Sequence, residues 1–373
     1  MLCAAELAAQ ELLRESLLST NFTHTPAEPR IYLLDQLVYN SAAGAALQSI
    51  GARIKRRDTV FLAIFMSCAP LYPDRTMTVE ALSPELASLI DPSAKVEHLA
   101  GGFQFTEGPL WNAGGGFLLF SDIPNNRIHQ WTPDGQVSVQ REPSGKSNGL
   151  AYDGQERLVA CEHANRRVSR TEADGTVQVL ADRFDGKRLN SPNDVIVKSD
   201  GTIYFTDPPY GLTKEYGEEG EQELEFQGVF RLAPDSGKLS LVNGDFRRPN
   251  GLCFSPDESL LYVNDTERMH IRVFEAGSNG ALSGGDVFAT LEGENGAPDG
   301  MKVDAAGNLF CTGPGGVWIF NPAGDLLGKI RIDEPHTANL AWGGDDFGDL
   351  FITACTNVYR VMTRTTGNVR NKV

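Results

Sequence analysis

Apolar residues recur along this chain in short β-type runs, each bounded by Gly, Asp or Asn. Six of them look alike: GGFLLFSD (115–122), QERLVACE (155–162), DGTIYFTD (200–207), DESLLYVND (257–265), AGNLFCTG (306–313) and FGDLFITA (347–354). Their β-branched and aromatic residues between turn formers predict strands. Taking Phe120, Ala160, Phe205, Val263, Cys311 and Ile352 as centres, the intervals are 40, 45, 58, 48 and 41 residues. Repeats of about 40–50 residues made of short strands predict propeller blades. Turns are expected at Lys198–Gly201, Ser255–Glu258 and Ala305–Asn308. Six repeats predict an all-β, six-bladed β-propeller over residues 91–365, with four strands per blade around a central channel. Residues 1–90 are then an N-terminal extension, partly helical or poorly structured, and 366–373 a short tail.

Counting back 12 or 13 positions from each centre reaches Glu107, Asn148, Asn193, Asn250, Asp299 and Asn339. The first strand of a blade lies nearest the axis, so one position in successive first strands faces the channel. An isolated Asn-Gly or Asp-Gly is ordinarily a turn. Six carboxylates or amides at one phase point instead to a shared axial site, although amides that merely bond the channel backbone would give part of the same pattern. Pro192, Pro249 and Pro298 precede Asn193, Asn250 and Asp299 and bias the neighbouring backbone toward extended conformations. Glycines beside Glu107, Asn250 and Asp299 permit another group to approach closely.

Glu107 and Asp299 with amide oxygens from Asn193 and Asn250 form a hard, oxygen-rich ligand set. Calcium accepts such a set and tolerates irregular geometry. Magnesium and manganese are alternatives, and zinc is a weaker one because no His or Cys stands at these positions. The net charge of −16 argues against nucleic acid and anionic membrane surfaces as partners. Cys161, Cys253, Cys311 and Cys355 fall in expected strands of four different repeats, and no zinc-type spacing links them. Buried free thiols, and so a reducing, cytoplasmic setting, are the expectation. The N-terminal region offers another. Lys55-Arg56-Arg57 precedes an apolar run from Thr59 to Leu71, too short to span a bilayer. With an internal start, residues 55–71 read as an export signal toward the periplasm. Alternatively translation starts near Met77. Residues 1–20 suit a helix, and residues 1–75 are expected to be loosely packed.

A polar stretch, residues 211–228, lengthens the third interval and is placed between repeats three and four. It reads either as a cover over one channel mouth or as a solvated acidic insertion. His163 follows the second repeat's strand. It reads as a proton shuttle or sugar contact or, with less demanded of its surroundings, as a strand-end histidine beside Arg166 and Arg167. His336, just before Asn339, carries the same two readings. Tyr210 and Arg248 are candidate substrate contacts.

The phrases TEGPLW, SNGLAYD, CEHANRRVSR, NSPNDVIVKSDGTIYFTDPPYG, PNGLCFSPD, PDGMKVDAAGN and NLAWGG together resemble the SMP-30/gluconolactonase family, nearest its bacterial gluconolactonase branch, over residues 95–362. The resemblance implies a six-bladed propeller with a catalytic divalent cation, usually calcium, in the channel. It places the metal ligands on Glu107, Asn193, Asn250 and Asp299, and leaves Asn148 and Asn339 to support them. It implies hydrolysis of a sugar lactone: a cation polarises the carbonyl, Asp299 or Glu107 accepts a proton from water, and Asn193 helps stabilise the oxyanion. Asp299 as direct nucleophile is the other route. Two further readings stand beside this one, a related phosphotriesterase or aryl-lactonase and a non-catalytic binding propeller with a structural cation. A monomer or small homo-oligomer is expected.

Overall fold

The computed structural model describes residues 77–368 apart from 235, 278 and 279. The expectations for residues 1–75, including the helix over 1–20 and the 55–71 run, lie outside the described residues.

Six antiparallel sheets form the blades of a propeller. Blade one runs from the inner strand Thr106–Asn112 through Phe117–Asp122 and Arg127–Trp131 to the outer Val137–Arg141. Blades two to four repeat that meander from Ser147, Val195 and Pro249, and blade five from Met301. Blade six takes its three inner strands, Thr337–Gly343, Asp349–Ala354 and Asn357–Met362, from the end of the chain. Its outer strand is Glu97–Gly101, paired antiparallel with Asn357–Met362. The ring is thus closed by strands some 260 residues apart, and no blade edge is left open between first and last.

The six centres all lie in second strands and are fully buried. Those strands lose the usual inside–outside alternation: Leu158–Glu162, Ile203–Asp207 and Leu309–Gly313 are buried at every position. Each is covered by a neighbouring blade on both faces, so both faces must be apolar or hydrogen-bonded. The outer strands of blades one and two are exposed along most of their length, and Val139 and Val179 stand in solvent there.

In blades one, three, four and five the residue after the centre joins blade to blade. Ser121 Oγ donates to the Asn148 carbonyl at 2.8 Å, Thr206 Oγ1 to the Asn250 carbonyl at 2.8 Å, and Thr312 Oγ1 to the Ala338 carbonyl at 2.9 Å. Asn264 Nδ2 donates in the same way to the Asp299 carbonyl. The next position is a buried acid in blades one to four. Asp122 accepts the Phe105 N–H, Asp207 the Asn190 N–H, and Asp265 the Arg247 and Arg248 N–H groups. These carboxylates satisfy the backbone leading into the innermost strands, and so help set where the channel residues stand.

Three expectations are corrected. The propeller begins at Val79 rather than 91: Val79–Ala81 adds a fifth strand to blade five against Leu326–Arg331, and the short helix Leu86–Leu89 buries Leu86, Leu89 and Ile90 between blades five and six. The 211–228 insertion lies inside blade three, between Ile203–Asp207 and Gln227–Leu232. Cys355 sits not in a strand but in the turn before Asn357–Met362, with φ of 45°. Cys161, Cys253 and Cys311 are buried free thiols, and Cys355 is buried. Among the described residues no helix is long and apolar enough to cross a membrane.

Candidate active site

All six phase-matched residues stand at the start of innermost strands or just before them, and all are buried to 5% exposure or less. Glycines make this possible. A Cβ on Gly108 would stand 2.0 Å from the Asn148 carbonyl oxygen, and one on Gly251 would stand 2.1 Å from that of Asp299. The strands converge so tightly on the axis that in blades one, two, four and five the residue following the channel side chain has almost no room. Gly149 and Gly300 meet the same limit against Asn193 and Asn339.

The amides form an arc around the channel. Asn148 Nδ2 donates to Asn193 Oδ1 at 2.7 Å, and Asn193 Nδ2 to Asn250 Oδ1 at 2.6 Å. On the other side Asn339 Nδ2 donates to Glu107 Oε2 at 2.9 Å. Glu107 and Asp299 lie near enough for each carboxyl to affect the other. Burial pushes the Glu107 carboxyl well above its ordinary range, and the charge of Asp299 adds to this. Asp299 is raised likewise, by burial first and then by the charge of Asp194.

Asp194 was not singled out in the sequence. In blades one, two, four and five the residue after the channel side chain is glycine; in blade three it is Asp194. Its carboxyl is buried, accepts the Val195 N–H at 2.9 Å and lies near enough to affect both Glu107 and Asp299. Oδ2 is buried without a hydrogen-bond partner. The break in the glycine phase, SPND against RPNG and APDG, was the signal.

Both histidines belong to the site. His163 does stand at the strand end, directly after Leu158–Glu162, but not at the surface: it is 1% exposed, with Nε2 3.2 Å from Asn193 Oδ1. His336 is buried with Nε2 2.7 Å from Asp299 Oδ2. Burial lowers each to about 4, so both rings are neutral at pH 7. Tyr210 stands beside Asn250, Thr266 and Arg248, whose guanidinium lies 5.6 Å from the Tyr210 ring centroid. Burial pushes the Tyr210 hydroxyl well above its usual range. The insertion reaches the same mouth. The Tyr216 ring meets Phe105 edge-on at 5.6 Å, and Phe105 stacks on His336 at 6.0 Å.

Among the described residues no three His, Cys, Asp or Glu side chains converge as a ligand cluster. A cation here would therefore depend on the amides as well as the acids. The chemistry of the set fits one: Asp299 Oδ1 and Asn148 Oδ1 are buried without hydrogen-bond partners, and two carboxyls crowd together away from water. That arrangement is costly with no positive charge beside it.

The chain matches the sequence profile described as the SMP-30/Gluconolactonase/LRE-like region over residues 105–356. It belongs to the SMP-30/gluconolactonase/LRE-like family. A gluconolactonase of Zymomonas mobilis is 36% identical over 84% of this chain and 99% of its own length. The pentonolactonase XacC of Haloferax volcanii is 27% identical over 66% of this chain and 80% of its own. Among solved structures, a gluconolactonase from Xanthomonas campestris superposes with a TM-score of 0.72 at 36% identity, covering 79% of this chain and 99% of that one. These SMP-30/gluconolactonase relatives agree with the sequence resemblance and with the six-bladed fold.

Proposed function

We propose that this protein hydrolyses a sugar lactone, most simply an aldonolactone of the gluconolactone type, with a divalent cation held by Glu107, Asn193, Asn250 and Asp299. One observation carries the reading: two buried acids and two buried amides from four different blades lie close enough to bond or affect one another, in a chain whose relatives are named gluconolactonase and pentonolactonase. Calcium is the first choice because the donors are oxygens in an irregular arrangement. The ring nitrogens of His163 and His336 that face the site are already turned to Asn193 and Asp299. When bound, the cation would polarise the lactone carbonyl and pull both carboxyls back toward ionisation.

The chain's own groups supply the rest. Neutral His336, donating from Nε2 to Asp299 Oδ2, leaves Asp299 Oδ1 free to accept the proton of an attacking water. The Asn148–Asn193–Asn250 arc fixes the amide rotamers, so Asn193 and Asn250 keep their oxygens oriented without rearrangement. Tyr216, Phe105 and the insertion shield the mouth from bulk water. Tyr210 and Arg248 line it, where sugar hydroxyls would arrive.

The test is a pH-stat screen of five- and six-membered sugar lactones with calcium, magnesium, manganese or zinc, repeated after chelation and with Asp299→Ala. Hydrolysis that disappears on chelation and in Asp299→Ala is expected. Activity untouched by chelation would remove the cation from the reaction. A parent protein inert toward every lactone would favour a binding propeller.

A further inference from the structure

Three carbonyls of the insertion converge on one ammonium. Lys146 Nζ donates to the carbonyls of Lys214, Glu215 and Gly217 at 2.6, 3.0 and 3.1 Å. An ammonium has three donors, so the clamp uses all of them. Lys146 immediately precedes the inner strand of blade two and has φ of 50°, a left-handed conformation that a lysine seldom adopts. Its N–H is held by Asn126 Oδ1 at 2.6 Å, and its carbonyl accepts the His163 N–H at 3.2 Å.

Tyr216 lies between the clamped carbonyls, and its own carbonyl oxygen is 3.2 Å from His163 Nδ1. A carbonyl can only accept, so Nδ1 carries the hydrogen. In the neutral ring Nε2 is then an acceptor, with Asn148 Nδ2 as its donor. It looks toward Asn148 Nδ2 at 3.5 Å and Asn193 Oδ1 at 3.2 Å. Asn193 Oδ1 is itself an acceptor, already served by Asn148. Asn148 Nδ2 thus serves both acceptors, His163 Nε2 over the longer distance, and a substrate hydroxyl reaching Nε2 would give it a shorter donor.

We propose that Lys146 is a positioning residue: through the 214–217 turn it holds His163 as the Nδ1–H tautomer, so that Nε2 presents a lone pair to a hydroxyl of the bound substrate. The identity of that hydroxyl rests on the lactone reading; the tautomer does not. Lysine thereby acts at one remove from the substrate, through main chain alone, and the insertion becomes part of substrate recognition rather than only a cover.

Lys146→Asn tests this. Asparagine suits the left-handed backbone but is too short to reach the turn, and Lys146→Gly serves if the first variant fails to fold. Lys146→Arg, long enough to donate to the same carbonyls, is the rescue. Nitrogen-15 spectra of histidine-labelled protein, with His163 assigned by His163→Gln, should show the Nδ1–H tautomer in the parent and in Lys146→Arg, and a mixture in Lys146→Asn. With polyhydroxylated lactones the KM of Lys146→Asn should rise about tenfold, the loss of one hydrogen bond, with kcat little changed. A lactone lacking ring hydroxyls should show no such rise. An unchanged tautomer in Lys146→Asn, or the same KM change for both lactones, overturns the proposal. A parent protein that opens no lactone would defeat the functional reading, while the spectra would still decide the tautomer.

Discussion

Asn339 Nδ2 donates to Glu107 Oε2 across 2.9 Å, joining the inner strand of blade six to that of blade one over 232 positions of sequence. The Asn339 amide is itself held, because its Oδ1 accepts the Leu340 N–H at 2.8 Å. Glu107 is thus oriented by a side chain that donates no electron pair to the proposed ion. Outer partners of this kind typically matter 10–100-fold in metal affinity. Asn339→Ala should weaken calcium binding by about that factor, read by titration calorimetry, with the circular dichroism spectrum unchanged. Affinity equal to the parent's would show that Glu107 needs no such support.

The raised carboxyls predict how stability responds to pH. Glu107 and Asp299 hold protons in the fold at pH values where the unfolded chain has released them. The folded state then binds more protons than the unfolded one, so stability falls as pH rises above the ordinary carboxylate range, by up to about 1.4 kcal/mol per pH unit for each group. A bound divalent cation favours the ionised forms and removes that slope. Melting temperatures measured in chelator should decline from pH 5 to pH 8 more steeply than in calcium. Parallel curves would mean that the two acids do not meet the ion.

Asp194 adds a third acid close to that pair, with the charge of Lys302 acting against its burial. Removing it should act at a distance. At an effective dielectric of about 20, a unit charge several ångströms from a divalent ion is worth more than about 1 kcal/mol. Asp194→Asn should lower calcium affinity roughly tenfold and, in chelator at pH 8, raise the melting temperature, since Glu107 and Asp299 lose a repelling neighbour. Tighter calcium binding in this variant would contradict the electrostatic account.

The blade pattern and the six channel positions were legible because both repeat: a buried second strand forces an apolar run, and close approach to the axis calls for glycine after the channel side chain in four of the six blades. What did not repeat was hidden. Asp194 replaces a glycine once, and within SPND it reads as one more turn former. The burial of His163 depends on Tyr216, 53 residues away, and Lys146 has the composition of a surface lysine until three distant carbonyls are seen around it. Glu97–Gly101 carries no mark that its partner is Asn357–Met362. The position of the insertion was misread for a simpler reason: an interval between second-strand centres does not say on which side of the third strand the extra residues fall.

Gly300 gives a sharp test of the converging strands. Its φ is not left-handed, so replacement there is limited by space alone. A Cβ would stand 1.9 Å from Asn339 Oδ1 and 2.7 Å from Asn339 Cα, the second contact being with backbone that cannot rotate away. Gly154 is the matched control: no heavy atom lies within 4 Å of its Cβ position, and its φ is also ordinary. Gly154→Ala should be neutral or stabilise by up to about 1 kcal/mol, through the unfolded chain. Gly300→Ala should cost on the order of 1–3 kcal/mol, the usual range for forced overpacking. Because relief requires Asn339 to move, it should also weaken calcium binding as Asn339→Ala does. Denaturant unfolding of both variants, with calorimetry on the folded fraction, checks each part. If Gly300→Ala were as stable as Gly154→Ala, the strands would not be pressed together at the axis, and the acids and amides they carry would have no reason to share an ion.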